Sequence, residues 1–404
     1  MKMIEKLYAN DKYSEKLQAV TEDTCNRCLG NNIYKDRYGR LHCLDCYEYG
    51  EVHDGMSIYR YERPTRRVDH ELHIDYKLTA KQEKGADFLV DCYNDKKNGF
   101  LQAVCGAGKT EMTYKVILEV LNNNQKVCFV IPRVAVIKEV SKRLEKHFPN
   151  TIIKTLMEGN KDYSEANLIV STPQQLIYFY SEFDLMIVDE VDAFPLKNNR
   201  FLKRLIDKSL KPYGVMLMMS ATKDESIMRH HDMRFHLIPS RFHRKPLAIP
   251  EYLRFASTKK MLSILINFSE GTRQTLIFVP TIKTGEMYKD KLAEKGIKTE
   301  MISSVTKYKN QIIKSFREKD IRILLSTTIL ERGVTFHDID CVVIQADHPV
   351  FTKDAIIQIS GRVGRIPQYD EGSVLLYSKT ISKEMSQARK EIIWMNKQNE
   401  MPDL

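Results

Sequence analysis

The stretch Phe100-Leu-Gln-Ala-Val-Cys-Gly-Ala-Gly-Lys-Thr110 decides how the rest of the chain is read. Its first half, Phe100–Val104, has the apolar character of a buried strand. Its second half is a glycine-rich turn ending in Lys109 and Thr110, and the following residues, Thr110–Leu121, have helical apolar spacing. A strand, a glycine turn and a helix in that order form a phosphate cradle. The glycines let backbone N–H groups wrap an anion, and the helix start adds favourable partial charge. In that setting Lys109 reaches the β- and γ-phosphates and the Thr110 hydroxyl binds magnesium. The general pattern asks for glycine at its first position, where this chain has Ala103; Cys105 inside the turn is unusual.

Downstream, Leu185-Met-Ile-Val188 is an apolar run that ends in Asp189-Glu190-Val-Asp192. Carboxylates at the end of a buried strand are costly unless a cation or a reaction uses them. Asp189 suits a magnesium-water ligand, and Glu190 suits the group that orients and deprotonates an attacking water. Around these two motifs, strand-like runs (Val127–Ile131, Leu168–Ser171, Leu185–Asp189, Val215–Ser220) alternate with amphipathic stretches such as Ala135–His147. Runs apolar on both faces, separated by helices, predict a parallel sheet covered on both sides.

Pro239, Pro246 and Pro250 then punctuate the basic stretch Ser240-Arg-Phe-His-Arg-Lys-Pro246, after which the alternation resumes with Thr275–Val279, Arg322–Ser326, Cys341–Gln345 and Ser373–Tyr377. The expected organisation is two α/β domains, 70–240 and 241–404, after an N-terminal region 1–69. Residues 62–73, ERPTRRVDHELH, read as a linker. In the second domain, Gln358-Ile-Ser-Gly-Arg362-Val-Gly-Arg365 follows Ser326-Thr-Thr-Ile-Leu-Glu331-Arg-Gly333-Val-Thr335. Two arginines three apart on one helix face can both point at a γ-phosphate, the arginine-finger role.

Eight cysteines are present, four of them within 22 residues: Cys25 and Cys28, then Cys43 and Cys46. Each C-x-x-C turn aims two thiolates at one point, and two such pairs complete a tetrahedral zinc site with no vacant position. The stretch between them reads as a hairpin turning near Gly39. Disulfides or a redox dithiol are the alternatives; a cytosolic chain disfavours the first and the matched pairs disfavour the second. His42 and His53 are taken as non-ligands, and Cys92, Cys105, Cys128 and Cys341 as single thiols in apolar surroundings.

At 404 residues and 43% hydrophobic, the chain exceeds what one core supports and is neither collagenous nor of low complexity. No apolar run reaches the 18 residues of a membrane span, and the start, MKMIEKLYANDKYSEK, lacks the apolar block of a signal peptide. The expectation is a cytoplasmic protein. Net charge is +10; residues 1–70 are balanced, so the whole basic excess lies in the rest, which suits a polyanion partner.

Taken together the motifs resemble a superfamily 2 helicase, with Ser220-Ala-Thr222 as the third motif. The resemblance implies two tandem RecA-like domains, ATP and magnesium. It implies nucleotide contacts from Gln82 (reading adenine), Ala103, Gly106, Ala107, Gly108, Lys109, Thr110, Glu111 and Gly333, and catalytic roles for Lys109, Asp189, Glu190, Gln358, Arg362 and Arg365. Nucleic-acid contacts would come from Pro132, Arg133, Ser171, Thr172, Pro173, Pro280, Thr281, Ser326 and Thr327. The closer resemblance is to the ComFA family of competence ATPases of Gram-positive bacteria, carried by the four-cysteine module before the motor, Asp189-Glu-Val-Asp-Ala-Phe-Pro195 and Ser240–Pro246. That family implies a single-stranded DNA motor for uptake of transforming DNA, working beside a membrane channel at the inner face of the membrane. Its partner would be a ComFC-like, phosphoribosyltransferase-like protein, and self-association stays open. An RNA helicase, a replication-restart duplex helicase and a non-catalytic DNA-binding scaffold are the other classes.

Overall fold

The structure is a computed structural model that describes residues 3–6, 13–62, 67–365, 368 and 371–401. The chain divides into two compact units, Met1–Gln102 with Lys109–Leu237, and Ala103–Gly108 with Ile238–Leu404.

The first unit begins with β1 (Met3–Lys6) and β2 (Glu15–Gln18), a two-stranded ribbon of β3 (Ile33–Lys35) and β4 (Leu41–Cys43), and β5 (Ser57–Glu62). The ribbon turns at Gly39, whose φ of 85° lies where glycine is favoured. Its motor portion then runs α1 (Ala80–Asn94), β6 (Gly99–Ala103), α2 (Lys109–Met112), α3 (Tyr114–Asn122), β7 (Val127–Val130) and α4 (Val134–His147). It continues with β8 (Ile153–Leu156), β9 (Leu168–Ser171), β10 (Phe179–Tyr180), β11 (Phe183–Val188), α5 (Arg200–Ser209), β12 (Leu210–Ser220), α6 (Glu225–His230) and β13 (Arg234–Ile238).

Seven strands form one sheet in the order β13-β6-β12-β11-β7-β9-β8, and the run from β6 to β8 is parallel throughout. β6, β7 and β9 are buried at every position, as a sheet covered on both faces requires. The helix expected over Thr110–Leu121 is broken at Thr113, whose hydroxyl donates to the Thr110 carbonyl at 2.6 Å. The edge strand β8 has no continuous apolar run, being only partly buried along most of its length, and so carries no clear strand signal in the sequence.

The N-terminal region is tied into this unit. A second, antiparallel sheet has the order β10-β1-β5-β2, so β1 pairs directly with Phe179–Tyr180 of the motor portion. Residues 63–66 of the expected linker lie outside the described residues. The part that follows is packed: His70 hydrogen-bonds Thr151, and His73 and His147 exchange bonds, His73 N–H donating to the His147 carbonyl and His147 Nδ1 facing the His73 carbonyl at 2.6 Å.

The second unit holds β14 (Glu251–Arg254), α7 (Thr258–Glu270), β15 (Gln274–Phe278), α8 (Ile282–Ala293), β16 (Thr299–Ile302), α9 (Lys309–Arg317), β17 (Ile323–Ser326), β18 (Ile339–Ile344), α10 (Lys353–Ser360), β19 (Val374–Ser378) and α11 (Lys383–Glu400). Its six strands are all parallel in the order β14-β19-β18-β15-β17-β16. The core packs Ile277, Leu325, Val342 and Ile344 of the sheet against Leu265, Tyr288 and Leu292 of α7 and α8.

Candidate functional site

In a parallel sheet, neighbouring strands bring their carboxyl ends to one edge, which is where such sheets bind ligands. In the first unit that edge carries, in spatial order, Ser220–Thr222 at the end of β12, Asp189–Asp192 after β11, Pro132 and Arg133 after β7, and Thr172 and Pro173 after β9, while the glycine turn Ala103–Gly108 after β6 belongs to the second unit. Asp189 and Glu190, expected to serve the nucleotide, therefore stand next to Pro132, Arg133, Thr172 and Pro173, expected to serve nucleic acid, on one edge. The other residues expected to serve nucleic acid, Pro280, Thr281, Ser326 and Thr327, belong to the second unit.

Lys109 opens α2, and its charge acts on Asp189. Burial pushes the Asp189 carboxyl up to about 6; Lys109 pulls it back down and Glu190 pushes it further up. A hard divalent cation would offset that burial cost, and the Asp189 carboxylate and Thr110 hydroxyl, both buried, are each oxygen donors of the kind magnesium takes. Glu190 has a φ of 52°, left-handed backbone that non-glycine residues adopt at a cost, and its N–H donates to Asp189 Oδ1 at 2.8 Å. Glu190 Oε2 lies 3.9 Å from Arg133 Nε. Thr222 Oγ1 donates to Asp192 Oδ2 at 2.9 Å, and Thr222 N–H to Ser220 Oγ at 3.1 Å. The third motif is thus tied to the second.

Other expected residues have structural work as well. Gln82 completes a capping box with Thr79, its Oε1 accepting from the Thr79 N–H at 2.9 Å. Glu111 pairs with Arg143 at 3.0 Å. Ser171 and Ser326 are built alike in the two units. Each buried hydroxyl donates to the carbonyl of the next threonine, at 2.9 and 2.7 Å, and that threonine's N–H donates to the end of the neighbouring strand, Leu156 or Ile302. Thr172 and Thr327 each then start a 3₁₀ turn. Thr281, after Pro280, caps α8.

The second unit corrects one expectation. Arg362 and Arg365 do not share a helix face, because α10 ends at Ser360 and the chain turns through Gly361 and Gly364, the latter at φ 64°. Arg362 is buried and donates from Nε to the Glu331 carbonyl at 3.0 Å; Arg365 donates from Nη1 to Thr335 Oγ1 at 2.9 Å. Gly333, at φ 80°, lies on the segment joining those two acceptors. Within the same unit the phosphate-loop residues Ala103–Gly108 meet Gln358: the Cys105 thiol donates to Gln358 Oε1 at 2.9 Å. Gly106 and Gly108, at φ 84° and 80°, adopt backbone that Ala103 and Ala107 do not need.

The four clustered cysteines converge. Cys25 and Cys46 sulfurs are 3.8 Å apart, Cys28 and Cys43 sulfurs 3.6 Å, and all four lie within 4.8 Å of one another. A tetrahedron with zinc–sulfur bonds of about 2.3 Å has edges of about 3.8 Å, whereas a disulfide needs about 2.0 Å. The thiol set fits zinc. His42 instead faces Asp36 and Glu51, at 3.2 and 3.1 Å. The module docks on α5: Arg204 pairs with Asp45, buried Lys208 donates to the Arg27 and Ile177 carbonyls at 2.7 and 3.0 Å, and Tyr49 stacks on Phe201. Nothing in the cysteine spacing signals this docking. Nor did the sequence assign a role to Arg241, which packs beside Gly106.

A family model described as "Type III restriction enzyme, res subunit" matches residues 75–225, and one described as "Helicase conserved C-terminal domain" matches residues 257–367. Competence protein ComFA of Streptococcus pneumoniae is 35% identical over 408 residues, covering 95% of this chain and 94% of that protein. Competence protein ComFA of Bacillus subtilis is 32% identical over 400 residues, covering 92% and 85%. The ATP-dependent DNA helicase RecG of S. pneumoniae is 25% identical over 330 residues, covering 72% of this chain and 47% of that protein. Among solved structures, S. cerevisiae Dbp5 bound to RNA and ADP BeF3 aligns with a TM-score of 0.57 at 16% identity, covering 79% of this chain and 92% of that one. Mycobacterium smegmatis Lhr bound to ssDNA and AMP-PNP aligns at 0.55 and 15% identity, covering 81% and 51%. These structures share the fold of paired RecA-like domains. The chain is an ATP-hydrolysing enzyme of the superfamily 2 helicase type, and it belongs to the ComFA family of competence proteins.

Proposed function

We propose that the protein is an ATP-driven motor on single-stranded DNA that helps draw transforming DNA into the cytoplasm. The observation that carries this reading is the order along the first sheet's carboxyl edge, where nucleotide residues give way to strand-binding candidates without a break. Lys109 and the loop amides bind the triphosphate, Glu190 orients and deprotonates the attacking water, and Arg362 and Arg365 stabilise the transferring charge. Thr110 and Asp189 would hold magnesium, which would supply charge neutralisation to the bound triphosphate. Gln82, Ala103, Gly106, Ala107, Gly108 and Gly333 surround the nucleotide. Gln358 bonds the Cys105 thiol, which links the arginine-bearing segment to the phosphate loop.

Pro132, Arg133, Thr172, Pro173, Pro280, Thr281 and Thr327 grip the strand through its phosphates, with Ser171 and Ser326 shaping the turns that present them. Grip that changes with nucleotide state moves the strand. Backbone contacts of this kind predict weak sequence preference and strong salt dependence. Cys25, Cys28, Cys43 and Cys46 would hold a zinc ion whose role is structural. At the inner face of the membrane the motor would work with the uptake channel and a ComFC-like protein; no helix among the described residues is long and apolar enough to cross a membrane. ATP turnover measured with single-stranded DNA, forked duplex and RNA tests the reading. Single-stranded DNA should stimulate most; preferential stimulation by RNA or duplex would assign the motor to a different track.

A further inference from the structure

Arg241 belongs to the segment between the two sheets, and the structure draws that segment against the phosphate loop. Val104 N–H donates to the Ile238 carbonyl at 3.2 Å, and Phe242 N–H donates to the Gly106 carbonyl at 3.2 Å. These two bonds hold Ile238–Phe242 alongside Val104–Gly106, all within one compact unit. The stem of Arg241 consequently lies against Gly106. A Cβ on that glycine would stand 3.7 Å from Arg241 Cγ and 4.0 Å from Nε, ordinary van der Waals contact.

The guanidinium is almost wholly enclosed, with 2% of the residue exposed. Nη1 donates to the Gly364 carbonyl, in the turn between Arg362 and Arg365. Nε and Nη2 have no hydrogen-bond partner among the described residues, and no carboxylate among those residues pairs with the charge. Burial lowers this guanidinium's pKa to about 10, the Cys105 thiol opposing that and Arg365 adding to it, and it still carries its proton at neutral pH. Buried charges are ordinarily paired, since an uncompensated one is strongly destabilising. A planar fork with two donors left over, set against a phosphate loop, has the geometry that binds a phosphate oxygen pair.

We infer that Arg241 is a phosphate ligand of the bound nucleotide, donating from Nε and Nη2 while Nη1 stays on the Gly364 carbonyl. Its contact with both the phosphate loop and the arginine-bearing turn makes it the residue through which occupancy at one is registered at the other. The inference rests on Ala103–Thr110 being the phosphate-binding loop, as proposed above.

The test uses the full-length, zinc-loaded chain and measures thermal unfolding and fluorescent-nucleotide binding, with ATP and ADP, for wild type, Arg241→Gln, Arg241→Lys and Lys109→Ala. If Arg241 is a phosphate ligand, Arg241→Gln weakens nucleotide affinity about 10- to 100-fold, the range expected for losing a charged hydrogen-bond pair. It also unfolds without nucleotide no earlier than wild type, because an unpaired buried charge is gone, and it loses most of the nucleotide-induced rise in midpoint. Arg241→Lys keeps the charge without the fork and falls between. Should Arg241→Gln not fold, Arg241→Lys decides the matter by the same two readouts. Wild-type affinity in a folded variant overturns the inference, as does an earlier apo midpoint with an undiminished nucleotide shift, since a role confined to bridging Gly364 gives that pattern. A wild-type chain that binds no nucleotide, or a Lys109→Ala chain that binds as wild type does, overturns the phosphate-loop reading beneath it.

Discussion

Arg133 Nε stands 3.9 Å from Glu190 Oε2, at the carboxyl ends of two adjacent strands. One is a candidate contact for the DNA backbone and the other the candidate general base, so in the proposed motor a strand phosphate and a catalytic carboxylate would compete for a single guanidinium. Arg133→Ala should raise ATP turnover without DNA by a few-fold, in the range of one weak ion pair, and shrink the stimulation that DNA provides. Steady-state ATPase rates with and without a single-stranded oligonucleotide check this. Unchanged rates in both conditions would show that the pair is idle.

The Thr222–Asp192 hydrogen bond ties the third motif to the second inside the sheet edge, where both residues are buried. Thr222→Val keeps the shape and removes the donor, and should cost about 1–3 kcal/mol. Adding Asp192→Asn should cost less than the two single changes summed, because the partners are in contact. Chemical denaturation of the four-member cycle measures the coupling; strict additivity would mean the bond contributes nothing.

Removing zinc should loosen more than the small module. Cys25, Cys28, Cys43 and Cys46 pack in the same apolar cluster as Phe179 and Phe183 of the motor portion, and Lys208 reaches across to the Arg27 carbonyl. A Cys43→Ser, Cys46→Ser double variant should release zinc, expose the N-terminal region to protease and lower the unfolding midpoint of the first unit. Lys208→Met, which leaves two buried carbonyls without their donor, should produce the same protease sensitivity with zinc retained, at a cost of about 2 kcal/mol. Zinc analysis of the purified chain and limited proteolysis decide both.

Two neighbours on the first unit should pull acid stability in opposite directions. Burial lowers the His231 pKa to about 4, with repulsion from His230 and Lys203 adding to it, so the folded chain resists its protonation. The stability it allows is complete above pH 6.5 and lost as pH falls toward 4. Partial desolvation raises the Asp207 pKa to about 6 against the opposing pull of His230 and Lys203. Because the residue keeps solvent contact, its carboxylate carries only a small cost, which grows as pH climbs from about 4 to 6. His231→Asn should flatten the acid loss between pH 6.5 and 4, and Asp207→Asn should steepen it. Denaturant midpoints across that range give both slopes.

The central strands and the nucleotide motifs were legible because fully buried parallel strands leave continuous apolar runs and because a phosphate loop needs particular residue types in order. The Val127–Ile131 and Leu168–Ser171 readings came within a residue of the observed strands. Edge strands escaped, since Ile153–Leu156 is only half covered and its sequence, Ile-Lys-Thr-Leu, has no long apolar run. The paired arginines were misplaced on a helix because helical spacing says nothing of the stop imposed by Gly361 and Gly364. The docking of the N-terminal region was invisible for a related reason: β1 pairs with Phe179–Tyr180 through backbone bonds that no side-chain pattern records. Arg241 stood in a basic stretch that read as a junction, and only burial against Gly106 sets it apart from its neighbours.

The most direct measurement is ATP turnover by the purified chain titrated with single-stranded DNA, beside Lys109→Ala. Hydrolysis should rise several-fold with DNA, fall steeply with added salt, and drop at least 100-fold in the variant. Hydrolysis indifferent to DNA, or a variant as active as the parent, would contradict it.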